Sequence, residues 1–131
     1  MIIENTNDIP YVKSSHVGPE ITATVARVCT EVRNQYPKIP LGLQILAAAN
    51  EESLAGKCVP HEKTYLRMGF TVTVLVANAC GLNFIRVESF VFGSIADEGF
   101  MDACAGSLLR MRKRIGAENI LVFADIKKKH R

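Results

Sequence analysis

Four short apolar runs, each keeping its hydrophilic residues for its last positions, constrain the fold of this 131-residue chain more than any other feature. Met1 to Glu4 ends on Glu4 and leads into Asn5. Pro40 to Leu46 carries Gln44, Leu82 to Glu88 (LNFIRVE) carries Arg86 and Glu88, and Ile120 to Ile126 carries Asp125, with Lys127 next in phase. Helical patterns separate the runs. The first starts at Gly18-Pro19-Glu20, with proline early and an acid in the first turn. Its apolar stripe Ile21, Val25, Val28, Cys29 and Val32 recurs at helical spacing and stops before Pro37. A second pattern begins over Asn50 to Ala55. A third is opened by Asp97-Glu98-Gly99, runs through Met101, Cys104, Leu108, Met111 and Ile115, and is ended by Gly116. Strands alternating with helical crossovers predict an α/β protein with a parallel sheet.

Such crossovers are right-handed in nearly all proteins, which leaves an open doubly wound sheet or a barrel. No GxGxxG or GxxxxGK[ST] follows any of the four runs, so nothing supports a nucleotide-binding doubly wound fold. The late polar residues favour the barrel. A charged group near the end of an apolar strand costs free energy unless it is paired or used, and in a barrel those ends face the shared mouth where chemistry is done. Side chains alternate along a strand, so Arg86 and Glu88 share the side of Phe84, and Asp125 and Lys127 the side of Leu121 and Phe123. The competing reading makes Arg86, Glu88, Asp125 and Lys127 structural ion pairs between neighbouring strands.

Charge and composition exclude some classes. The chain is 48% hydrophobic and 22% charged, as in a folded soluble protein. Its longest uncharged run, ending at Arg86, contains Thr71, Thr73, Asn78, Gly81 and Asn83 and is too polar to span a bilayer. No membrane partner is expected. The net charge of +3 gathers toward the end, where four of the last five residues are basic. A solvated helix face with a polar tail explains this; nucleic-acid binding would need aromatic interleaving or a recognised module, and neither is visible. The four cysteines make no CxxC, and Cys58 with His61 lacks the second pair of a zinc site. Free thiols suggest the cytosol, or a mitochondrial matrix if a presequence has been lost. No metal site is indicated, and the cofactor is left open.

Two resemblances add to this. Asp125-Ile-Lys127 resembles part of the D-x-K-x-x-D motif of the orotidine-phosphate decarboxylase group, although His130 stands where its last Asp would be. Lys127 also suits a Schiff-base lysine or a phosphate contact. More extensively, IIEN with Asp8 and Pro10, PLGLQIL, GLNFIRVE with the later ADEG, and FADIKKKH occur in the order of the strand-end motifs of the BtpA/SgcQ-like family. That family's wording is VEN…D, PLGVNVL, FIRVN or FIRVE, and ADV.VKH, and the likeness covers nearly the whole chain.

The resemblance implies a partial (β/α)8 TIM barrel of the ribulose-phosphate-binding type, about strands two to five with their helices. It places polar strand-end residues at Glu4, Asn5, Asp8, Gln44, Asn50, Arg86, Glu88, Asp97, Asp125, Lys129 and His130. Joining Ser53-Leu54-Ala55 directly to Val76 restores the family's third helix, which makes Gly56 to Leu75 an insert in a single incomplete domain. Gly-Lys can be encoded GGTAAG, and the codons of Leu75-Val76 can end a splice acceptor, so a retained intron in a eukaryotic gene is one expectation.

The full-length form is expected to bind a small phosphorylated or sugar-like metabolite at the strand C-termini. Glu4, Glu88, Asp125 and Lys127 are the candidates for proton handling and catalysis. Asn5, Asp8, Gln44, Asn50, Arg86, Asp97, Lys129 and His130 are the candidates for ligand contact. The alternative is a non-catalytic assembly factor that uses the barrel as a platform. The chain alone is expected to be inactive and to self-associate through exposed strand edges.

Overall fold

The computed structural model describes residues 1–7, 9–11, 19–46, 71–97 and 99–126. Each apolar run forms a strand shorter than the run itself. They are β1 (Ile2–Glu4), β2 (Gly42–Gln44), β3 (Phe84–Val87) and β6 (Leu121–Ala124). These four pair in the order β1-β2-β3-β6, every pair parallel. Sequence order and spatial order therefore agree across this sheet. The reversal that marks the switch point of a doubly wound sheet does not occur among the described strands.

The register divides the sheet into two faces. Ile3, Leu43, Ile85 and Val122 are successive Cα partners and share one face. Leu43 and Ile85 are wholly buried there with Val25 and Cys29 of α1 (Pro19–Gln35), Val74 and Ala77 of α2 (Thr71–Ala79), and Leu108 of α3 (Ala105–Arg114). The stripe read along α1 is narrower than its spacing suggests. Val25 and Cys29 are buried and Ile21 and Val32 pack at the edge, but Val28 is exposed on the flank.

α2 touches β2, β3, α1 and α3. A helix enclosed in this way can be apolar on most of its surface, and TVTVLVANA is. Threonines and valines are weak helix formers, so tertiary burial rather than intrinsic propensity holds this segment helical. Residues 71–75 of the expected insert thus belong to one continuous helix, while 56–70 lie outside the described residues.

The opposite face carries Ile2, Phe84, Leu121 and Phe123, of which Ile2, Leu121 and Phe123 are exposed. Phe84 lies across Gly42. A Cβ on Gly42 would come within 2.1 Å of the Phe84 ring, so only glycine admits the ring there. The ring is held from its far side by Phe123, with centroids 4.7 Å apart.

At the N-terminal end of the sheet, Asn83 Oδ1 accepts from Arg33 Nη2 (2.7 Å) and from the Leu41 amide (2.9 Å). Arg33 Nη1 also donates to the Ile39 carbonyl at 2.9 Å. This knot ties the end of α1 to β2 and β3, and nothing in the local sequence announced it.

The third helix does not open at Asp97-Glu98-Gly99. Asp97 follows β4 (Ser94–Ala96), Gly99 begins β5 (Gly99–Met101), these two strands pair as a hairpin, and α3 begins only at Ala105. Gly99 sits at φ 111°, a backbone conformation suited to glycine, and Ile95 pairs across to Phe100. The buried positions Met101, Cys104, Leu108 and Met111 keep a helical spacing, but the first belongs to a strand. α3 ends with Arg112, Lys113 and Arg114 in its last turn, where cations suit the helix dipole. Arg112 Nε is further tied to the Ala117 carbonyl at 3.2 Å.

Candidate functional site

One register step beyond the buried row, the uncovered face changes character. Glu4 pairs with Gln44, and Arg86 follows Gln44 in the same phase on β3. Asp125 follows β6, its amide held 3.2 Å from the Val87 carbonyl. Three neighbouring strands and the exit of the fourth thus bring hydrophilic side chains to one end of the sheet, the end where the parallel strands finish.

Arg86 organises the cluster. Its Nε and Nη2 donate to Asp125 Oδ1 and Oδ2 at 3.0 and 3.3 Å, a bidentate pair, and its Nη1 donates to Glu4 Oε1 at 3.3 Å. The planar guanidinium suits this two-sided role, which a lysine could not copy. Its pKa is pushed up, first by the hydrogen bonds to Asp125 and then by the negative charge of Asp125, Glu4 and Glu88 acting against burial. The ion-pair reading of Arg86 and Asp125 therefore describes their geometry, and Glu4 completes the chain across the sheet. Among the described residues, the negative charge of Glu88 also acts on this guanidinium.

Gln44 sits in the same row, between Glu4 and Arg86 in register, and is 2% exposed. Neither its Oε1 nor its Nε2 has a hydrogen-bond partner among the described residues. An amide buried in that state costs about 1–3 kcal/mol. Asn5, by contrast, is engaged with main chain: its Nδ2 donates to the Leu46 carbonyl at 3.2 Å and its Oδ1 accepts from the Leu46 amide at 2.7 Å. That clamp fixes the exits of β1 and β2 against each other.

Beside Asp125 a cavity of about 650 Å³ opens, lined mostly by apolar groups that include Phe90, Phe92, Ile95 and Ile126. Its wall is the segment that leads from β3 into the hairpin. Ser89 there adopts φ 48°, unusual for a residue with a side chain, and its hydroxyl lies 2.6 Å from that of Ser94. Backbone in this sparsely populated region, at a strand's exit, is often functional. Neither the cavity nor the hairpin was visible in the spacing of residues.

Of the residues selected from sequence, the structure brings Glu4, Gln44, Arg86, Glu88 and Asp125 to one end of the sheet. It uses Asn5 as a clamp and puts Asp97 at the hairpin turn. Asp8, Asn50, Lys127, Lys129 and His130 lie outside the described residues, as do Cys58 and His61. Among the described residues no three His, Cys, Asp or Glu side chains are grouped as a metal ion would require. Also among them, no helix is long and apolar enough to cross a membrane.

Fold and site together define a parallel α/β protein with an arginine-centred, acid-rich rim at the carboxyl ends of its strands. The chain belongs to the BtpA family, whose model matches residues 63–131. It is 42% identical over 134 aligned residues to an uncharacterised mitochondrial protein of Caenorhabditis elegans, covering 99% of this chain and 41% of that relative. It is 28% identical to an uncharacterised protein of Archaeoglobus fulgidus, over 99% of the chain and 43% of the relative. It is also 24% identical to the photosystem I biogenesis protein BtpA of Synechocystis, over 99% of the chain and 37% of the relative. The chain thus spans about two fifths of the length of these curated relatives. No solved structure matches it.

Proposed function

We propose that the chain is one arc of a (β/α)8 barrel whose mouth, at the strand C-termini, binds a small phosphorylated or sugar-like metabolite in the full-length form. Three observations support the arc: a parallel sheet in unreversed order, helices packed on one of its faces, and relatives more than twice as long. The observation that carries the site is the Glu4–Arg86–Asp125 chain across the open face, with the buried amide of Gln44 in the same row. Within it the carboxylates handle protons and Arg86 counters negative charge. Lys127, the other candidate cation, follows directly on Asp125-Ile126. The chain by itself is inactive, because barrels of this kind usually hold phosphate after strands seven and eight. The compartment that fits is mitochondrial, the location in the name of the nematode relative.

A second reading makes the barrel a non-catalytic assembly platform. It draws on the name of the cyanobacterial relative and on the exposed apolar hairpin residues Phe92, Ile95 and Phe100. A metabolite-binding screen on the full-length nematode relative separates the two. The metabolite reading expects a ligand whose binding is lost when the residues aligned with Asp125 and Glu88 become alanine. Failure of every metabolite to bind, with partner capture unaffected by those substitutions, overturns it.

A further inference from the structure

Independently of any reading of the rim, we infer that Cys29 and Cys80 form a dithiol that hydrogen peroxide converts to a disulfide, which makes the joint between α1 and the end of α2 a site of oxidative modification. Cys80 follows directly on α2, and its part-exposed thiol is seated on α1. Its Sγ donates to the Ala26 carbonyl at 3.6 Å and lies 3.5 Å from the Thr30 hydroxyl, which donates to the same carbonyl at 2.9 Å. Positions three and four apart on a helix stand about 5–6 Å from one another. Cys29, three positions after Ala26 and one before Thr30, therefore borders the seat that Cys80 occupies. It is wholly buried in the core cluster against which Cys80 packs. The electrostatics agree: burial first, and then the charge of Cys80, push the Cys29 thiol up to about 12.

A disulfide brings its two Cβ atoms to about 3.5–4.5 Å. The helices α1 and α2 already touch, so closure asks for a side-chain rotation and a small slide between packed elements. The two thiols play different parts. Cys80, which solvent reaches, attacks one oxygen of the peroxide; the O–O bond breaks, water leaves and Cys80 becomes a sulfenic acid. Cys29 is shielded from the oxidant. Its sulfur attacks the sulfenic sulfur, the S–S bond forms, and the hydroxyl leaves with the Cys29 proton as a second water. Two thiols thus give up two electrons and two protons to one hydrogen peroxide. A buried, protonated thiol is a weak nucleophile, but here its target is a neighbour, which makes the step unimolecular.

The test uses the 131-residue chain as Cys58→Ser, dilute, first reduced and then exposed to a few equivalents of hydrogen peroxide at neutral pH. Intact mass and peptide mapping follow the products. The expected product has lost two hydrogens, carries a Cys29–Cys80 cross-link, and keeps Cys104 as a thiol. Dithiothreitol should reverse it. The oxidised chain should unfold at a higher urea midpoint than the reduced one, because a long loop has been closed. Cys80→Ser should slow loss of the Cys29 thiol roughly tenfold, whereas Cys29→Ser should let Cys80 proceed to the sulfinic acid. In denaturing urea the preference for this pair should vanish.

Peroxide that carries Cys80 of the folded parent to the sulfinic acid while Cys29 stays a thiol would overturn the inference. So would indiscriminate pairing that includes Cys104, or a cross-link that joins two chains. A Cys29–Cys80 bond that lowers the urea midpoint also overturns it, since the sulfurs would then meet only by breaking the α1–α2 packing. None of these outcomes bears on the metabolite reading, which stands or falls by its own screen.

Discussion

Replacing Gly42 with alanine adds a single methyl group directly against the Phe84 ring. The new Cβ would lie 2.1, 2.4 and 2.4 Å from three carbons of the Phe84 ring, whereas carbon atoms rest at about 3.5–4.0 Å. The ring must therefore retreat by about 1.5 Å. It cannot do so freely, since Phe123 stacks on it at 4.7 Å. Loss of the stack costs about 0.5–1.5 kcal/mol, and overpacking adds about 1–3 kcal/mol. Against this, alanine restricts the unfolded chain and returns about 0.4–1 kcal/mol.

A net loss of about 1–3 kcal/mol follows. Urea unfolding followed by far-ultraviolet circular dichroism, at one matched protein concentration, measures it as a lower midpoint at unchanged slope. Phe84→Leu removes the colliding ring carbons, so Gly42→Ala should cost much less in that background, with a coupling above about 0.5 kcal/mol. A Gly42→Ala protein as stable as the parent, or costs that simply add, would refute the packing argument.

Two further outcomes are expected. Burial pushes the thiols of Cys29 and Cys104 up to about 12, so the folded chain keeps protons that the unfolded chain releases near 9. Their contribution is intact below pH 9 and is lost as the pH climbs toward 12, at up to about 1.4 kcal/mol per pH unit for each thiol; a Cys29→Ala, Cys104→Ala variant should show a flatter decline in urea midpoint from pH 8 to 10.5, and an equal decline would exclude the thiols as its source. The strands β1 and β6 end the sheet order and Ile2 and Leu121 are exposed beside them, so the 131-residue chain should self-associate with rising concentration in sedimentation velocity and do so less as Ile2→Lys with Leu121→Lys, whereas a single monomer boundary at all concentrations would show that neither edge is adhesive.

The parallel sheet was legible because its strands lie in continuously apolar runs separated by helical patterns, and the helix stripes because one side of α1 and α3 meets the core. The late polar residues were legible for a related reason: Glu4, Arg86 and Asp125 interrupt apolar strands where interruption is costly. What escaped was contextual. Asp-Glu-Gly signals a hairpin turn as readily as a helix start, and Met101 happens to sit in phase with Cys104 and Leu108. The Arg33–Asn83 knot joins residues fifty positions apart. That Gln44 has no partner among the described residues depends on what its neighbours across two strands do, which no local pattern records.

The hairpin β4–β5 leaves the sheet after β3 and returns into α3, yet β3 and β6 still pair over Phe84–Val87 and Leu121–Ala124 without a slip. The scaffold therefore bears this excursion as a façade bears a balcony. Its length and chemistry can be rewritten without touching the masonry behind, so the cavity beside Asp125 can change its lining while β3 and β6 stay in register.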